Sequence, residues 1–109
     1  MTAYFIQPDA LPQKDLAPGV QLKVAWGQHL MLSFVRLAPG GVVPAHSHPH
    51  EQGGVCLDRA MEFTIGAETR IVRRGEGWMI PGGMTHAVRA LEDGAEALDI
   101  FYPHREDYK

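Results

Sequence analysis

The chain has 109 residues, 12 Gly, 8 Pro and one Cys, and 10 Lys+Arg stand against 13 Asp+Glu for a formal net charge of −3. That length suits one small domain with a single core, and 45% hydrophobic with 21% charged residues excludes a disordered or membrane-embedded composition. The mildly acidic balance excludes the clustered basic footprint of a nucleic-acid-binding protein, and one thiol excludes an internal disulfide.

The N-terminal stretch MTAYFIQPDALPQKDLAPGV has no basic start and no continuous apolar core. No signal peptide is expected. No run reaches the roughly 20 apolar residues of a membrane span, so no membrane partner is expected and a reducing cytoplasm is the expected compartment. Residues 7–19 hold three prolines, and residues 1–19 read as an irregular arm.

Beyond the arm, Gly and Pro cut the chain into short pieces, which favours strands over long helices. Strands are expected over Val20–Trp26, His29–Leu37, Gly53–Leu57, Met61–Ile65, Thr69–Val72, Trp78–Ile80, Thr85–Leu91 and Glu96–Tyr102. They recur about every ten residues, the spacing of an all-β sandwich or barrel. Met61-Glu62-Phe63-Thr64-Ile65 shows the two-residue alternation of a half-buried strand. The set fits a double-sheet jelly roll over residues 1–109. Arg70, Arg73 and Arg74 read as a solvated strand edge. Cys56, inside Gly-Val-Cys-Leu, reads as a small core residue.

The histidines carry the first chemical signal. His46, His48 and His50 alternate in Ala-His-Ser-His-Pro-His-Glu-Gln. On an extended strand such positions share a face, and two neutral imidazoles can reach one ion at about 2.0–2.2 Å. His86 follows the turn Pro81-Gly82-Gly83, which can swing it to the same point. Pro49 bends the segment, so strand parity does not choose among His50, Glu51 and Gln52 as a further ligand.

From Gly40 to His48 the chain reads Gly, five residues, His, one residue, His. From Gly75 to His86 it reads Gly, five residues, Pro, one residue, Gly, two residues, His. Together these stretches resemble the two signature motifs of the cupin superfamily. The resemblance implies an all-β cupin fold, a double-stranded β-helix or jelly-roll barrel, around one divalent metal ion. It implies His46, His48 and His86 as ligands, and it puts Gln52 at the usual glutamate position. Two residues depart from the motifs. Arg59 replaces the glycine that closes the first, and Ala90 replaces the asparagine that sometimes ends the second. Three imidazoles and an amide are neutral, so the ion keeps its full charge as a Lewis acid. Such donors suit Ni, Cu, Zn, Fe or Co, and Mn is also possible. Protons compete for the same nitrogens, so affinity is expected to fall below about pH 6.5.

The C-terminal segment runs Ala97-Leu98-Asp99-Ile100-Phe101-Tyr102, then Pro103-His104-Arg105-Glu106-Asp107. Asp99 and Phe101 share one face of the strand and Leu98 and Ile100 the other; alternation alone leaves open which face is buried. HSHPHEQ together with the Asp-x-Phe-x-Pro-x-Arg-Glu-Asp ending resembles the KdgF family of small cupins. That resemblance implies conversion of 4,5-unsaturated monouronates, from pectin and alginate breakdown, to linear 4-deoxy-5-keto uronates. It assigns function to Asp99, Phe101 and Arg105 beside the metal ligands. In that setting Asp99 carries a proton as general acid–base. Phe101 is an apolar wall, and Arg105 pairs with the carboxylate of a sugar substrate in two hydrogen bonds. The family also implies a homodimer, with the arm of residues 1–19 as one place of contact. A cupin dioxygenase or isomerase on another small acid, and a non-catalytic sugar- or anion-binding cupin, are the competing expectations. Trp78 and Met84 flank the second motif and are expected in the core, with pocket lining as the alternative.

Overall fold

The computed structural model describes residues 4–109; the first three residues of the expected arm lie outside them. Eight strands follow in order: β1 (Lys14–Ala17), β2 (Val20–Trp26), β3 (Met31–Leu37), β4 (Val42–His46), β5 (Glu51–Ile65), β6 (Glu68–Arg73), β7 (Gly77–Ile80) and β8 (His86–Tyr102). Two short 3-10 turns, Pro8–Ala10 and Glu106–Tyr108, stand near the ends. Among the described residues no helix is long and apolar enough to cross a membrane.

Every pairing is antiparallel, and the two long strands β5 and β8 organise the rest. The first half of β5 pairs with the second half of β8, which continues to β3, β2 and β1, while β7 closes the other side. The second half of β5 pairs with β6 and with the first half of β8, which also takes β4. Two layers result, sharing β5 and β8 as their common strands.

The corner is built by slips in the β5–β8 register between Cys56 and Asp58 and between Arg59 and Met61. Bulges of this kind bend a strand and change which residues face inward. On β5 the buried set passes from Gln52 and Cys56 to Met61 and Phe63; on β8 it passes from His86 and Ala90 to Ala95, Ala97 and Phe101. Four expected strands are therefore two bent ones. Gly53–Leu57 and Met61–Ile65 lie within β5, and Thr85–Leu91 and Glu96–Tyr102 lie almost wholly within β8.

Two strands escape the sequence reading. β1 lies inside the expected irregular arm, although Lys14 and Asp15 pair with Leu22 and Gln21. β4 contains Pro44, which has no N–H to donate. It is tolerated because β4 pairs only with β8 and its register is broken between Val43 and His46.

Both motif departures have local explanations. Arg59 takes φ 61°, the left-handed region that glycine favours, so the residue changes and the turn does not. Its N–H donates to the Asp58 carboxylate at 3.0 Å, and its carbonyl accepts from the Arg74 N–H at 3.0 Å. Ala90 is fully buried between the layers, beside Met61 on the neighbouring strand. Cys56 sits in the core as expected, and Arg70, Arg73 and Arg74 are exposed.

Candidate metal centre and cavity

His46 ends β4 and stands in register with His86, the first residue of β8. His48 lies two residues further, in the connection to β5. The two motifs are tied by the Gly83 N–H, which donates to the His48 carbonyl at 2.8 Å. A side chain at Gly82 would run into the Pro49 carbonyl, so the Pro-Gly-Gly turn can lie against the first motif only because it is bare.

The three imidazoles converge, with ligand atoms all within 4.8 Å of one another. Each ring offers Nδ1 to a carbonyl two residues away: His46 to Pro44 at 2.8 Å, His48 to His50 at 3.1 Å and His86 to Met84 at 2.9 Å. A carbonyl only accepts, so these contacts put the proton on Nδ1 and leave the Nε2 lone pair bare. Nε2 of His86 is buried with no hydrogen-bond partner among the described residues. Desolvation lowers the pKa of His48 and of His86, outweighing the hydrogen bonds that raise them, so both rings favour the neutral form that a metal requires.

Gln52 completes the argument. Its Nε2 donates to Oδ1 of Asp99 at 2.9 Å, which sets the orientation of the amide. Its Oε1 then faces Nε2 of His48 at 2.9 Å. With the His48 proton on Nδ1, two acceptors oppose one another with no hydrogen between them. A cation resolves that opposition, and the donor set of three imidazoles and an amide oxygen fits one. Glu51 is exposed, and the His50 ring, its centroid 5.4 Å from that of His48, does not belong to the cluster whose ligand atoms lie within 4.8 Å of one another; Gln52 Oε1 faces His48 Nε2 directly.

β8 carries Asp99 and Phe101 inward, and Arg105 follows just beyond its end. Phe101 is fully buried and meets the His48 ring edge-on, with centroids 5.6 Å apart, whereas Ile100 is on the outer face. Oδ1 of Asp99 accepts from Gln52 and from the Trp78 indole N–H, both at 2.9 Å. Desolvation pushes the Asp99 carboxyl up to about 6, against those two hydrogen bonds and the Arg105 and His46 charges, which pull it down. The Arg105 guanidinium lies 3.9 Å from the Tyr108 ring centroid and 5.3 Å from that of Phe101. Its Nη1 donates to the Tyr108 hydroxyl at 2.8 Å and its Nη2 to Asp107 at 2.9 Å, and Nε is buried with no partner among the described residues.

Several residues in this wall carried no signal of their role in the sequence. Trp78 is a core residue, as expected, but it also lines the cavity and holds Asp99. It does so by reaching across Gly54, which pairs with Trp78 on one side and with Asp99 on the other. A glycine inside a strand is the available hint of such a close approach. Tyr108 and Ser33 also line the cavity. Met84 corrects an expectation. It is 39% exposed, covers Gly66 and belongs neither to the core nor to the cavity wall.

The centre has a direct test. Restoring Ni, Zn or Mn at about 100 times its dissociation constant to chelator-treated protein contributes about 2.7 kcal/mol. In a domain of this size that raises Tm by roughly 10–20 °C. The shift is expected to shrink as the pH is lowered and protons compete for the imidazole nitrogens, and to vanish in His86→Ala. Protein that takes up no stoichiometric ion at pH 7.5 would remove the centre.

Residues 33–101 match the Cupin domain family. The chain is 33% identical over 110 residues to the pectin degradation protein KdgF of Dickeya dadantii, covering 99% of each. It superposes on the structure of KdgF from Halomonas sp. with a TM-score of 0.91 at 30% identity, covering 99% of this chain and 100% of that one. An RmlC-like cupin from Shewanella frigidimarina matches with a TM-score of 0.90, 99% and 97% coverage and 18% identity, a likeness of fold alone. The convergent histidines, the two-layered barrel and these likenesses agree: the chain belongs to the cupin family and, within it, to the KdgF family.

Proposed function

We propose that this chain is a metal-dependent enzyme converting 4,5-unsaturated monouronates to linear 4-deoxy-5-keto uronates. The observation that carries the reading is Asp99. It is a desolvated carboxyl joined through Gln52 to the candidate metal centre and set in the same wall as Phe101 and Arg105. His46, His48, Gln52 and His86 would hold a divalent cation, which would supply Lewis acidity towards the sugar oxygens.

The chemistry asks little more of the protein. The conversion is an isomerisation: the bond from C1 to the ring oxygen breaks, a proton leaves the anomeric hydroxyl and a proton joins C4. Asp99 can accept the first proton and give the second, and so end as it began. Its Oδ1 is held by two donors, while Oδ2 takes none from the described residues. One N–H of Nη1 and one of Nη2 of Arg105 are engaged, so the second N–H of each and the unpartnered Nε–H are the donors left for the substrate carboxylate. Phe101 and Trp78 exclude water from the ring-opened enol.

The test is the absorbance of the conjugated ene in lyase-generated unsaturated monouronate. Metal-loaded protein is expected to remove it well above the spontaneous rate; a rate equal to the protein-free control would discard the reading.

The same proposal includes a cytoplasmic homodimer. Its support is the outer face of the first layer. There Leu32 pairs beside Ile100, Gly53 and Met79, and Phe34 beside Leu98 and Val55. Met79 is 71% and Tyr102 54% exposed. An apolar sheet face of this kind calls for a cover, and light scattering that returns the 12.0 kDa monomer mass would count against a twin as that cover.

A further inference from the structure

Ser33 has no exposed surface, and its Oγ has no hydrogen-bond partner among the described residues. Buried hydroxyls nearly always have one, and leaving one bare costs stability. Ser33 is nevertheless placed with care. It lies on β3 in register with Asp99 on β8, so the two side chains point to the same side of the sheet, with Cβ atoms about 4.5–5.5 Å apart as in any such cross-strand pair. Both line the cavity shared with His46, Gln52, His86 and Phe101. On the far side of Asp99, the Gly54 position is bridged by Trp78, and Gln52 and Trp78 both bond Oδ1. On the near side Ser33 offers a hydroxyl that no group among the described residues uses. Its other cross-strand neighbour is the apolar Val24.

We propose that Ser33 is a substrate-binding residue whose hydroxyl donates a hydrogen bond to an oxygen of the uronate seated against Asp99. The inference rests on the reading of this chain as a uronate enzyme, and it adds a contact that reading does not contain. A hydroxyl kept bare in the free protein and bonded in the complex trades stability for recognition, so the same substitution moves the two properties in opposite directions.

The experiment compares wild type, Ser33→Ala and Ser33→Thr as metal-loaded proteins. The readouts are Tm, the Kd for D-galacturonate by calorimetry, and kcat/KM on unsaturated monouronate. Ser33→Ala is expected to match or exceed the wild-type Tm, to bind galacturonate about tenfold more weakly and to lose about tenfold in kcat/KM. Ser33→Thr keeps the hydroxyl and is expected to stay within about threefold of wild type on the same hydrogen-bond argument. Should Ser33→Ala fail to fold, Ser33→Cys, similar in shape and a weak donor, reads the same loss. A Kd for Ser33→Ala unchanged from wild type overturns the proposal. So does a weaker Kd accompanied by a Tm well below wild type, which makes the hydroxyl structural, and so does a wild type that binds no galacturonate. Galacturonate lacks the double bond, so its affinity still reports on Ser33 if wild type proves inert on the unsaturated sugar. That second result would remove the reaction and leave the contact.

Discussion

Asp99→Asn is expected to fold, to keep its metal and to lose at least a hundredfold in kcat on unsaturated monouronate, within the 10²–10⁴ that a positioned acid–base contributes. Asparagine has the shape of aspartate and retains an oxygen for the two donors that reach Oδ1, Gln52 Nε2 and Trp78 Nε1. The amide of Gln52 therefore keeps its orientation, with Oε1 towards His48. What the substitution removes is the capacity to take up and return a proton. Metal content measured beside kcat separates the two roles. Lost metal would make Asp99 an orienting residue that acts through Gln52. Retained metal with kcat within a few fold of wild type would exclude Asp99 from proton transfer. A binding cupin without turnover would be indifferent to the change.

Gly54→Ala is expected to be among the most damaging small substitutions in the barrel. A Cβ at Gly54 would lie 2.5 Å from Cε2 and 2.6 Å from Cζ2 of Trp78. The indole is rigid and buried, and it already packs on Phe63 with centroids 4.8 Å apart. It must move, and its hydrogen bond to Asp99 goes with it. Overpacking of this sort costs about 1–3 kcal/mol and loss of a bond to a carboxylate a similar amount. A total near 3 kcal/mol lowers Tm by roughly 10–20 °C. Gly53→Ala is the matched control. Its Cβ would meet Met79 Sδ at 3.2 Å, the far end of a flexible side chain that is 71% exposed, and the expected change is below about 1 kcal/mol. Differential scanning calorimetry of the pair decides the matter. Equal Tm values for the two variants would show that Trp78 is not seated over Gly54.

The histidine cluster was the most legible part of this molecule because its chemistry is written locally. His46 and His48 are two residues apart, and His86 follows a turn whose glycines Gly82 and Gly83 permit the close return. The β class was equally legible from the density of Gly and Pro and the alternation in Met61–Ile65. Strand limits were less so. The bend at Asp58–Ala60 looks in sequence like a break between two strands, yet the chain continues as one, with Arg59 holding the φ of a glycine. β4 was hidden by Pro44, and β1 by the prolines around it.

Sequence by itself determined that three imidazoles from two distant segments would serve one centre in a β barrel, since motif spacing and turn chemistry are properties of short stretches. It could not determine the inside of β8. Alternation separates Asp99 and Phe101 from Leu98 and Ile100 but carries no sign. The sign was set by the register slips that turn β5 and β8 around the corner, and by β3 and β5 pairing on either side. The same packing aimed Gln52 at the His48 ring, brought Trp78 over Gly54 to Asp99, and set Ser33 beside it. These are contacts between strands far apart in the chain, and only closure of the barrel creates them.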